Sequence, residues 1–154
     1  MSICRVVRAA PGGCTERGRI RRGGAVKPHD LQRRHLSPGP VVPGLTVSVL
    51  ARLSPLADAR EFLATQRQGF DPGDTTSATV AQAEQFLQRL GDDRAFLVRL
   101  DGQPVGAGAF AAACDRLAEV TGIATLEPCR RRGIASVLTS EAVRTAFLQG
   151  VQMS

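Results

Sequence analysis

The sequence predicts an α+β domain over residues 44–154, a three-layer α/β/α arrangement around a mixed, mainly antiparallel sheet. One alternating run and then two segments of helical period come first. Two alternating runs joined by Asp101-Gly102 follow. A further strand then leads through an arginine-rich turn into a last amphipathic segment. Runs of period 2 and of period 3.6 that alternate in this way build sheets covered by helices.

Each element has its own signal. Leu45 to Leu53 alternates, with Leu45, Val47, Val49, Ala51 and Leu53 on one strand face. Ser54-Pro55 supplies an N-cap and a first-turn proline for a helix through Leu56, Ala59, Phe62 and Leu63, ending near Gly69. Asp71-Pro72-Gly73-Asp74 breaks the chain. Thr79-Val-Ala-Gln82 has capping-box form, and Val80, Ala83, Leu87 and Leu90 repeat at helical spacing up to Gly91. Arg94–Leu100 and Val105–Ala111 alternate on either side of Asp101-Gly102, a strong hairpin signal. Leu117–Leu126 reads as another strand. The final helix carries Ile134, Val137, Leu138, Ala142 and Ala146 on one side, with Gly150 as its C-cap.

The 154 residues suit one domain, and 43% hydrophobic with 22% charged residues is ordinary for a soluble globular chain. Tyr and Trp are absent, which excludes a tyrosine acid or an indole stacking platform. The uncharged run Gly102–Cys114 is too short and too rich in Gly and Ala to span a bilayer. No apolar stretch follows Met1, so no secretory signal peptide is expected. Cys4, Cys14, Cys114 and Cys129 form no CxxC pair, so reduced thiols in a cytoplasm are expected. A zinc site from Cys4, Cys14, His29 and His35 has the wrong cysteine spacing.

Charge is unevenly placed. Residues 1–40 carry nine Lys or Arg against two acids, a net of +7, whereas residues 41–154 net −1. The leader, residues 1–43, is rich in Gly, Pro and Arg and poor in large apolar side chains, so disorder is expected. It is compatible with a bland extension, the favoured reading, or with an arm for nucleic acid.

The segment 126–138 carries the chemistry. Arg130-Arg131-Arg132 lead into the positive end of a helix dipole, where cations are unfavourable by roughly 0.3–1 kcal/mol each. An anion held by the free first-turn amides would explain them, and a solvated basic loop is the alternative. Gly133 lets the backbone approach a ligand, and the small Ala135 leaves room for a diphosphate.

This region resembles the acetyl-CoA motif of the GNAT superfamily of N-acetyltransferases, Gln/Arg-x-x-Gly-x-Gly/Ala at a strand-to-helix junction. Here it is Arg130-Arg131-Arg132-Gly133-Ile134-Ala135. The preceding strand, the hairpin and the two upstream helices match that family in order, and the resemblance covers about residues 45–154. Pro128 lies two positions before Arg130, closer than the family's usual three or more.

The resemblance implies acetyl-CoA as co-substrate, with amides from Arg131 to Ser136 around its pyrophosphate. Ile123, Ala124, Thr125 and Leu126 would pair with the pantetheine arm, and an amide near Thr125 or Leu126 would polarise the thioester carbonyl. Attack by an amine needs a base. Some family members place a glutamate eleven residues before the motif, which here is Glu119. A raised carboxyl pKa is expected there, while an edge carboxylate facing solvent or pairing with Arg116 is the bland alternative.

The family's tyrosine acid has no counterpart, and the sequence stops where its later strands would begin. A truncated or non-catalytic remnant, or a fold completed by a homodimer mate or another chain, is therefore an open expectation. The acceptor class is a small-molecule or peptide amine; neither a membrane nor nucleic acid is the expected partner.

Overall fold

A computed structural model describes residues 40–112 and 118–148 of the chain. The leader up to Gly39, Cys114, Arg116 and the Gly150 cap lie outside these residues, so the expectations for them do too.

Strand β1, Leu45–Leu50, is shorter than its alternation suggested. The chain turns at Ala51, where Ser54 accepts a hydrogen bond from the Ala51 N–H at 2.9 Å. That contact takes the hydroxyl expected to cap the next helix. Helix α1, Leu56–Phe70, therefore begins after Pro55 with no side-chain cap, and Leu53 sits in the turn at 95% exposure rather than on the strand face.

Helix α2, Val80–Leu90, starts as its sequence dictates. The Thr79 hydroxyl accepts from the Gln82 N–H at 3.2 Å, and Gln82 Oε1 accepts from the Thr79 N–H at 3.0 Å. Strands β2, Arg94–Leu100, and β3, Gln103–Ala112, are joined by Asp101 and Gly102. Both turn residues have positive φ, +50° and +82°, as a type I′ hairpin requires. Strand β4, Ala118–Thr125, is followed by a 3₁₀ turn, Glu127–Cys129, and by helix α3, Ile134–Leu148.

The strands pair in chain order, β1-β2-β3-β4, and every pairing among the described residues is antiparallel. Alternation sends the two faces of the sheet to two cores. Leu97, Ala95 and Ala107 meet Phe62, Ala83 and Leu87 of α1 and α2 on one side. On the other, Phe96, Val98 and Phe110 meet Ile134, Leu138, Ala142 and Ala146 of α3. These are the three layers expected of the fold.

Phe62 stacks on Phe86 at 4.9 Å between ring centroids and locks α1 to α2. An ionic clip ties α1 to the sheet: Arg99 on β2 bonds Asp58 at 2.6 Å, Glu61 at 2.7 Å and Ser48 at 3.0 Å. Burial opposes the Arg99 charge, yet the two carboxylates outweigh it and hold its pKa above the ordinary value.

Candidate functional site

The site grows from an irregularity in β4. Register with β3 runs Ala111↔Glu119, Phe110↔Val120 and Ala109↔Thr121, and resumes at Ala107↔Ala124 and Gly106↔Thr125. Two β4 residues, Gly122 and Ile123, thus oppose the single Gly108, which is a β-bulge. Gly122 has φ +63°, a left-handed backbone that favours glycine. Reading 117–126 as an uninterrupted strand missed this bulge, although an isolated glycine inside a strand is its usual sign.

The bulge reverses which side chains share a face. Before it, Val120 packs in the α3 core, so Glu119 and Thr121 turn to the α1 side. After it, Ile123 packs in the α3 core, while Ala124 lies under Gly69 of α1. A Cβ on Gly69 would come within 2.7 Å of the Ala124 Cβ, so only glycine lets the end of α1 approach β4 this closely.

Between that helix end and the start of α3 lies a cavity of about 370 Å³. Ile123, Ala124 and Thr125 form one wall, and Gly133, Ile134, Ala135 and Ser136 form the other. Arg130 and Arg131 also reach it. Gly69 and Cys129, neither singled out by sequence, complete the lining. Long-range packing brings Gly69 there, and no local pattern signals it.

The wall at α3 is open. Helical hydrogen bonding starts with the Val137 N–H donating to Gly133 O at 3.0 Å. The six N–H groups of Arg131 to Ser136 have no hydrogen-bond partner among the described residues. Arg131 and Gly133 have φ of +63° and +80°. Left-handed residues just ahead of a helix turn successive N–H groups into a concavity that suits an anion. Pro40 packs over Gly133, 3.3 Å from where a Cβ would stand.

The three arginines divide. Arg130 donates to Thr125 O at 3.3 Å and to Gly69 O at 3.1 Å, and so braces β4 against the carbonyl end of α1. Two of its N–H groups are used there, and the residue still lines the cavity. Arg131 and Arg132 are exposed and have no ion-pair or hydrogen-bond partner among the described residues, which leaves their charge for a ligand. Arg132 and Leu126 do not line the cavity.

On β4, the Leu126 N–H donates to Val105 O at 2.9 Å, so the expectation that it polarises a carbonyl fails. Alternation of the ladder turns the Thr125 N–H the other way, to the outer edge of β4. The Thr125 hydroxyl is buried with no partner among the described residues. Such an orphan costs about 1–3 kcal/mol unless something bonds it.

Glu119 lies apart from this cavity. It is exposed, opposite Ala111, with no ion pair or hydrogen bond among the described residues. Along β3 their partners Ala111 and Gly106 are five positions apart, which at about 3.3 Å each puts roughly 17 Å between Glu119 and Thr125. One carbonyl cannot be served by both, because a base must sit within hydrogen-bond or single-water reach.

Comparison with known proteins gives a consistent picture. Residues 58–153 match the acetyltransferase (GNAT) family. Among solved structures, the chain is similar to a GCN5-related N-acetyltransferase from Kribbella flavida, at 27% identity and a TM-score of 0.51. That match covers 79% of this chain and 41% of the other, so the chain spans less than half of that protein's length.

An aminoglycoside acetyltransferase from a soil metagenomic sample shares 16% identity and a TM-score of 0.58, covering 71% of this chain and 74% of its own. A ribosomal-protein-alanine N-acetyltransferase from Brucella melitensis gives 24%, 0.53, 71% and 76% for the same measures. These two likenesses speak to fold. No curated protein matches the chain significantly.

Proposed function

The chain belongs to the acetyltransferase (GNAT) family, and from that premise we propose that it transfers an acetyl group from acetyl-CoA to a primary amine by direct attack. The observation that carries the reading is the row of unpartnered amides from Arg131 to Ser136 beside the cavity. They suit a diphosphate, with Arg131 and Arg132 adding charge at the rim. The outer edge of β4, from Ile123 to Thr125, faces the extended arm of the donor and offers it main-chain hydrogen bonds.

Acetyl-CoA supplies the acyl group as an activated thioester. Glu119 takes the proton of the incoming ammonium, directly or through one water, so that a neutral amine attacks. Because Glu119 stands about 17 Å from Thr125, the acyl carbonyl sits nearer the Gly122–Ile123 bulge, three or four positions from the base. Main-chain N–H groups at that edge polarise it. The chain has no tyrosine to protonate the departing thiolate, so solvent or the amine's own proton serves.

The test is thermal. Acetyl-CoA at millimolar concentration raises Tm, since a ligand selective for the folded state stabilises it by RT ln(1 + [L]/Kd). An unchanged Tm, with no binding by calorimetry, refutes the proposal. Given an amine that is turned over, Glu119→Gln lowers kcat about 10²–10³-fold and leaves the KM for acetyl-CoA unchanged.

A further inference from the structure

We infer that Gln66 of α1 is a positioning residue, holding the β4 bulge so that Glu119 and the acyl carbonyl stand in register. The inference rests on the reading above. Gln66 Nε2 donates to Gly122 O at 3.2 Å, across 56 positions of sequence. The same nitrogen lies 2.5 Å from where a Gly122 Cβ would stand, so the amide occupies the space that the glycine vacates.

The contact matters because of what Gly122 does. Gly122 carries the left-handed turn of the bulge, and the bulge puts Glu119 on the α1 side while Ile123 moves to the α3 side. In a regular strand those two residues share a face. Relaxing the bulge would swing the base, or the edge amides, away from a common target. β4 has one neighbouring strand among the described residues, and its pairing with β3 is broken at the bulge, so the ladder leaves part of the restraint there to other elements. α1 supplies the rest at three points along one face: Gln66 on Gly122, Gly69 against Ala124, and the Gly69 carbonyl under Arg130.

A role in alignment separates from a role in binding, because the amides of Arg131–Ser136 hold the diphosphate without Gln66. The experiment uses acetyl-CoA labelled with ¹³C at the thioester carbonyl, and free CoA as a second probe. On the wild-type chain the carbonyl resonance moves on binding. In Gln66→Leu, which keeps the volume and loses the donor, CoA affinity stays within about twofold while the resonance returns toward its free position.

With an amine acceptor, kcat falls about tenfold to a hundredfold at unchanged KM for acetyl-CoA, the scale of a small misplacement. Gln66→Lys, whose ammonium reaches the same carbonyl, restores both readouts. A resonance in Gln66→Leu identical to wild type overturns the inference while leaving the acetyltransferase reading standing. A Gln66→Leu chain that does not fold also overturns it, by making Gln66 a residue of the core. A wild-type chain that binds no CoA removes the reading and the inference together.

Discussion

Helices α2 and α3 begin in opposite ways. At α2, Thr79 and Gln82 close the helix end reciprocally, each side chain bonding the other's main-chain N–H. At α3 no side chain caps the first turn, no acid lies in it, and six successive N–H groups have no partner among the described residues. Both ends carry the same orphan donors by the geometry of the helix. One end satisfies them from its own sequence and gains stability. The other leaves them unpartnered among the described residues beside a cavity, with two free arginines, and forgoes that stability. If the distinction is real, changes at the two ends should act on different observables.

The largest effect is expected at Gly133. A β-branched side chain there meets Pro40 and must adopt φ near +80°, which costs about 1–3 kcal/mol. The turn will open and carry its amides away. Charge-assisted hydrogen bonds are each worth about 1.5–3 kcal/mol, so losing two weakens binding about a hundredfold or more. Gly133→Val should therefore abolish the acetyl-CoA-dependent rise in Tm and also lower the ligand-free Tm. A retained rise would place the diphosphate elsewhere.

A smaller change separates stability from affinity. Ala135 lies exposed in the first turn of α3. Ala135→Glu puts an acid at the positive end of the helix, which stabilises the free protein by roughly 0.3–1 kcal/mol. The same carboxylate opposes a bound diphosphate, and a repulsion of about 1.4 kcal/mol weakens binding about tenfold. Chemical denaturation should show a higher midpoint and calorimetry a weaker Kd. Affinity unchanged from wild type would make α3 an ordinary uncapped helix.

The same contrast marks how much of the molecule its sequence discloses. Local chemistry was legible. Thr79 and Gln82 cap α2 as spaced, Asp101-Gly102 turns the hairpin, and Gly133 opens α3 beside the cavity. What depends on distant packing was not. The Ser54 hydroxyl chose the Ala51 amide over the helix, because both lie within its reach. The bulge at Gly122 interrupts the expected strand, and its partner Gln66 sits a whole helix and two strands earlier in the chain. Gly69 and Arg130 meet across 61 positions. Arg130 lines the cavity as its place in the motif suggested, and only the fold shows that it also braces two carbonyls.

The smallest effect belongs to the closed end. Thr79→Ala removes the hydroxyl that accepts from the Gln82 N–H, and a lost cap of this kind costs typically about 1 kcal/mol. No α2 residue lines the cavity; α2 packs on α1, by way of Phe86 on Phe62, and on the sheet core, so the loss should stay local. The expected result is a lower denaturation midpoint with the acetyl-CoA Kd within twofold of wild type. Measured beside Ala135→Glu, the two variants should move stability in opposite directions while only one moves affinity. A Thr79→Ala chain with impaired acetyl-CoA binding would mean that α2 helps to shape the cavity, and that the two helix ends do not divide stability and ligand binding between them.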